Sequence, residues 1–223
     1  MFKKFIKNKY NRGMTLVELI VVLAIFMIIL GITIFDYSGF KSSVSIQNLA
    51  DDIALSIRKS QSFAIGSRSL LNGGSVSNGY GVHFMTTANQ GNPLLGSNKS
   101  FIIFSDMDDG KDYDNKSGVG YICGNSSPNT QNDCLEIITI KSIAKITDIK
   151  VDGSSIDSGS SVDVVFRRPN PDALFCYKKS SGSSCIDTIS SITITVSSSN
   201  TDSSGTIKYK NIVIRNTGQI SIE

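Results

Sequence analysis

From Met14 to Phe35 the chain is almost uniformly apolar, and its one ionisable residue there, Glu18, lies near the start. A run of roughly 22 residues is about 33 Å long as a helix, which matches a hydrocarbon core of about 30 Å. Beyond Asp36-Tyr37-Ser38-Gly39 the pattern loosens. Ile46, Leu49, Ala50, Ile53, Ile57 and Ala64 recur at spacings of three, four and seven, the signature of one helix face. Asp51, Asp52, Arg58, Lys59 and Arg68 fall largely elsewhere, as on a solvated side. The spacing predicts one long helix from Met14 to about Ser67, its second half laid on a sheet, with Asn72-Gly73-Gly74 stopping it.

From Tyr80 onward the period shortens to two. Tyr80–Met85, Ser100–Ser105, Leu135–Ile140, Ile146–Val151, Val162–Phe166, Ile192–Val196, Asn211–Arg215 and Gln219–Ile222 are β-branched or aromatic runs bounded by Gly, Asn, Ser and Asp. The last two, separated by Asn216-Thr217-Gly218, read as a closing hairpin. A long helix followed by many antiparallel strands is an α+β arrangement. The division expected is 1–13 as a basic leader, 14–38 as a transmembrane helix, 39–70 as its amphipathic continuation and 71–223 as a β-rich head outside the cytoplasm. Ser197 to Gly205 reads as a polar surface loop.

Charge changes the picture at one end only. Five of the 22 Lys and Arg precede Met14, with no acid among them; without them 17 basic residues face 19 acidic ones, a net of −2. Net charge therefore gives no support to general nucleic-acid affinity. The basic leader should stay cytoplasmic and send the rest outward. No small-residue cleavage site follows the apolar run, as it would after a signal peptide. Instead Gly13 stands between leader and run, so the natural cut leaves the apolar helix on the mature chain. An acid well inside a bilayer costs about 3 kcal/mol, so Glu18 either lies at the membrane edge and snorkels to the headgroups or takes a partner within the membrane. The α-amino group of Met14 in a neighbouring copy, staggered by about one turn, would be that partner. Staggered copies of one helix make a contact that does not close, and such contacts build filaments.

The residues Gly13-Met14-Thr15-Leu16-Val17-Glu18-Leu19-Ile20 resemble the processing and assembly motif of type IV prepilins and type II secretion pseudopilins. The resemblance implies cleavage after Gly13 by a prepilin peptidase, methylation of the new amine on Met14, and Glu18 as the assembly residue. Many major pilins carry a proline about two-thirds along the anchor, where this chain has Phe35, so a kink is not implied. The hairpin at Asn216-Thr217-Gly218, the final alternating strand and the strand-rich head are similar to the GspH/FimT group of minor pseudopilins and minor pilins. The partners implied are other pilin or pseudopilin subunits and an assembly platform protein with its ATPase. Before assembly the surroundings would be the lipid of the cytoplasmic membrane.

Four cysteines, Cys123, Cys134, Cys176 and Cys185, allow three pairings. The short polar loops between Cys123 and Cys134 and between Cys176 and Cys185 favour local closure and an oxidising compartment. The turn after Phe104 places five carboxylates in nine residues, and alternating acids around a glycine can wrap Ca²⁺. Asp106, Asp108, Asp112 and Asp114 are the candidate ligands, ahead of Asp109; the order of residues departs from an EF-hand, and a solvated acidic turn is the alternative. Zinc is disfavoured by the lack of any C-x-x-C and by the distance of the single His83. No hydrolase, metalloprotease or P-loop pattern appears, Gly118-Val119-Gly120 being too short to cradle phosphate, and His83 in an apolar strand reads as packed. The expectation is a structural filament subunit, not an enzyme, with no cofactor beyond a structural Ca²⁺. The alternatives are a DNA-binding minor pilin using Arg167-Arg168 and Lys178-Lys179, and a calcium-dependent adhesin that never polymerises. No cation follows Arg215 in the tail, which weakens the first.

Overall fold

The computed structural model describes residues 13–66, 77–87, 95–114, 123, 133–180, 184–198 and 206–223, with backbone alone for 32–38. The leader 1–12, Asn72-Gly73-Gly74, Gly118-Val119-Gly120 and most of the Ser197–Gly205 loop lie outside these. Helix α1 runs unbroken from Leu16 to Ile65. Ten strands follow: β1 (Gly79–Met85), β2 (Ser100–Asp106), β3 (Cys134–Thr139), β4 (Ala144–Val151), β5 (Ser154–Ser155), β6 (Ser161–Phe166), β7 (Ala173–Lys178), β8 (Ser191–Ser198), β9 (Tyr209–Arg215) and β10 (Ile220–Ile222).

The α+β expectation holds, but the head contains two sheets where one was expected. Their orders are β3-β2-β1-β6-β7 and β10-β9-β8-β4-β5, and every pair is antiparallel. Alternation supplies the reason each has an apolar inner face. On β1, Tyr80, Val82 and Phe84 point inward; on β8, Ile192, Ile194 and Val196 do so beside Ile212 and Ile214 of β9. The helix lies across both inner faces, and all six stripe residues from Ile46 to Ala64 are buried in the shared core. Ser60, fully buried among them, donates its hydroxyl to the carbonyl of Gly81 on β1 at 3.3 Å.

The outer face of the first sheet carries a second, smaller core of Ile102, Phe104, Tyr113, Cys134 and Val165. Gly81 is required there: a Cβ would lie 2.7 Å from both the Phe104 ring and the Val164 carbonyl. Covering this face is the segment after β2, tied down by a local Cys123–Cys134 disulfide, while Cys176–Cys185 closes the other short loop. The closing hairpin also forms. Gly218 takes φ +78° in its turn and donates to the Arg215 carbonyl at 2.9 Å.

Three details differ from expectation. The helix ends at Ile65, close to the Ser67 expected, but the residue that caps it is Gly66, whose N–H closes on the Ser62 carbonyl at 2.8 Å, and not Asn72-Gly73-Gly74. Strand β7 was not expected, because Ala-Leu-Phe-Cys-Tyr-Lys has no β-branched residue and no clean alternation. The two-residue β5 is too short to leave a pattern.

Candidate functional site

The helix start is built from a short polar sequence. Thr15, extended at φ −74° and ψ 151°, is the N-cap, and its hydroxyl accepts the N–H of Glu18 at 3.3 Å. Thr15-Leu16-Val17-Glu18 thus has the spacing of a capping box, and Glu18 lies in the first turn, where exposed N–H groups favour an anion. Gly13 and Met14, on either side of the expected cut, are exposed and precede the cap. The described side chains from Leu16 to Leu30 are exposed and mostly apolar, with Leu16 at 73% and Met27 at 71%, so nothing in the chain's own head covers them. Among the described residues no helix is long and apolar enough to cross a membrane.

A second constellation sits at the end of β2. Asp106 is fully buried; its Oδ2 accepts Arg167 Nη2 at 2.6 Å and the Lys111 N–H at 3.2 Å. Arg167 also reaches Asp109 at 2.6 Å. Asp112 is paired with Lys178, which stands 4.0 Å from Asp114 as well. Burial works against the Lys178 charge, yet the hydrogen bond and charge of Asp112, followed by Asp163 and Asp114, hold it above its ordinary value. Burial, then the charges of Asp112 and Asp108, raise Asp114. Beneath them Asp133, nearly fully buried, accepts the Asp114 N–H at 3.3 Å. Burial, followed by the charges of Asp108, Asp114 and Asp106 and opposed by that hydrogen bond, pushes its carboxyl up to about 8.

Two of the four acids named as calcium ligands are therefore drawn toward different cations. Asp106 turns to Arg167 and Asp112 to Lys178, and among the described residues no group of three or more His, Cys, Asp or Glu is arranged to hold a metal ion. The basic pairs expected to form surface patches lose a member each for the same reason. His83 is packed, with Nδ1 2.6 Å from Asp163 Oδ1, Nε2 3.3 Å from the Leu95 carbonyl, and its ring against Tyr113. Asp163 and Arg167 were missed as partners because they are 80 residues from His83 and 61 from Asp106.

The start of the helix has a counterpart among known sequences. Residues 8–34 match the prokaryotic N-terminal methylation motif. The matched span contains Gly13, Met14, the Thr15 cap and Glu18. It marks the N-terminal segment as a type IV pilin-like signal, of the kind processed by a prepilin peptidase. No curated protein and no solved structure matches the chain.

Two measurements follow from the acidic turn. With Asp106 and Asp112 held by cations, melting curves of the detergent-solubilised chain in millimolar Ca²⁺ and in EGTA should superimpose. A clear rise in Tm with Ca²⁺ would restore the metal reading. Asp133, with its folded pKa raised, stabilises the fold fully below the ordinary carboxyl range of about 4, and this contribution is lost as pH rises through about 8. Asp133→Asn should flatten the fall in stability between these limits and raise Tm at pH 8 by about 2–4 °C, the shift expected for 1 kcal/mol in a domain of this size. An unchanged slope would show that Asp133 titrates as an ordinary exposed acid.

Proposed function

We propose that the chain is a structural, non-catalytic subunit, a minor pilin or pseudopilin, that assembles into a type IV pilus or a type II secretion pseudopilus. The observation that carries this reading is an apolar half-helix, uncovered by its own head, that begins within the matched methylation motif. By sequence the apolar run continues from Leu30 through Ile32, Ile34 and Phe35, which gives the length of an anchor in the cytoplasmic membrane. The head would then stand outside, where its two disulfides are stable.

Cleavage after Gly13 leaves the Met14 amine one residue ahead of the Thr15 cap. The amine of a second copy, one turn higher, meets Glu18 and neutralises it as the helices leave lipid for a filament core. The exposed apolar face would be covered by neighbouring copies of itself. A DNA-capturing role finds little support, since Arg167 and Lys178 are already paired with acids.

The reading is tested at two neighbouring positions. Glu18→Ala should abolish filaments while leader removal continues. Thr15→Ala, which loses only a cap worth about 1 kcal/mol, should leave them in place. Filaments that survive Glu18→Ala, or are lost equally in both variants, would contradict an intersubunit role for this carboxylate.

A further inference from the structure

Beside the point where α1 meets the head, an apolar groove of about 560 Å³ opens between the helix and the start of β9. Val44, Ile46 and Gln47 form one wall; Ile207, Lys208 and Tyr209 form the other. Two of its lining residues are large, apolar and exposed, Tyr209 at 64% and Ile207 at 53%, and Phe40, one turn before Val44 on the helix, is 68% exposed. Lys208 Nζ donates to Ser43 Oγ at 2.9 Å, and Lys210 lines the groove next to it. Among the described residues neither lysine has a carboxylate partner, so the groove presents apolar area under uncompensated positive charge.

The complementary surface is found on the same helix. Gln47 lies 29 residues, about eight turns, beyond Glu18, and so on the same side of an unbroken α-helix. Asp51 follows one turn later, exposed, its carboxylate drawn back by Gln47 Nε2 at 3.1 Å. The side of the helix that must face a neighbour at Glu18 therefore also shows that neighbour an acid at head level.

The register is then fixed. A second copy whose Met14 amine meets Glu18 is shifted by about four residues, roughly 6 Å. Its Gln47 stands level with Asp51 of the first copy, and its Ser43, where Lys208 is bound, stands level with Gln47. Because side chains lean toward a helix N terminus, the Asp51 carboxylate reaches this lower level. The same shift sets Val44 of the first copy level with the exposed Phe40 of the second.

We infer that the groove between residues 43–47 and 206–210 is a socket for a second copy of this chain, which sets its Asp51 against Lys208. The contact is heterologous and repeats along the filament. It rests on the subunit reading, but it assigns to the head a contact that the N-terminal motif does not specify.

Two differently tagged full-length chains, one Asp51→Cys and one Lys208→Cys, should be co-expressed in the cells that make the protein and then oxidised. The expected product is a dimer bearing both tags, absent when either cysteine is absent and lost with Glu18→Ala. A parallel pair, Val21→Cys with Ile25→Cys, both on the Glu18 side of the helix, reports the one-turn register of the anchors independently. If the anchor pair crosslinks and the head pair does not, the socket is overturned while the subunit reading stands. If neither crosslinks, both fall. Charge reversal adds a second arm: Asp51→Lys should lose filaments, and Asp51→Lys with Lys208→Glu and Lys210→Glu should regain them. Failure of the triple variant where the wild type assembles also overturns the socket.

Discussion

Glu18 is a charge at the start of a helix that has no other polar side chain until Thr33. Everything about the N-terminal half follows from the need to keep that charge solvated or paired. In the isolated chain the helix end does part of the work: Thr15 caps the Glu18 amide, and the free N–H groups of the first turn favour an anion. The helix end does not supply a full counter-charge. On the reading proposed, a terminal amine at Met14 would supply it once the leader is removed, from a copy one turn out of register. A single acid in an apolar surface would thus give an otherwise indifferent greasy rod a preferred neighbour and a preferred stagger.

The head gives the rod a rigid end. Because α1 buries its second half across two sheets at once, the helix and both sheets share one core, and a displacement of the anchor is felt by the whole head. On the far face of the first sheet the acidic turn is held by Arg167 against fully buried Asp106 and by Lys178 against part-buried Asp112, with Asp133 beneath. Breaking the Arg167–Asp106 pair leaves a buried charge unpaired, at about 3–5 kcal/mol, so this cation fixes the cover over that face.

Local periodicity was legible in the sequence. The six-residue stripe of α1 and the closing hairpin are where their spacing and turn residues place them, since each is decided by contacts close along the chain. The helix stop was equally local, written in Gly66, but the stronger Asn72-Gly73-Gly74 signal concealed it. Thr15-x-x-Glu18 was a readable capping box that the assembly motif overshadowed. What could not be read was non-local. Alternation says which side chains of a strand turn inward but not which sheet it joins, so two sheets looked like one. The cation partners of Asp106 and Asp112 were hidden for the same reason, since Arg167, just past β6, and Lys178, at the end of β7, arrive from more than 60 residues away.

The account stands on a helix that is retained, uncovered at its start and released from its leader directly before the cap. The most direct test is the intact mass of the membrane-extracted protein together with mapping of its first peptide. Loss of residues 1–13 and addition of one methyl group to the amine of Met14 is the result expected. An intact leader, or a chain cut beyond Phe35 so that Glu18 and its helix are gone, would contradict it.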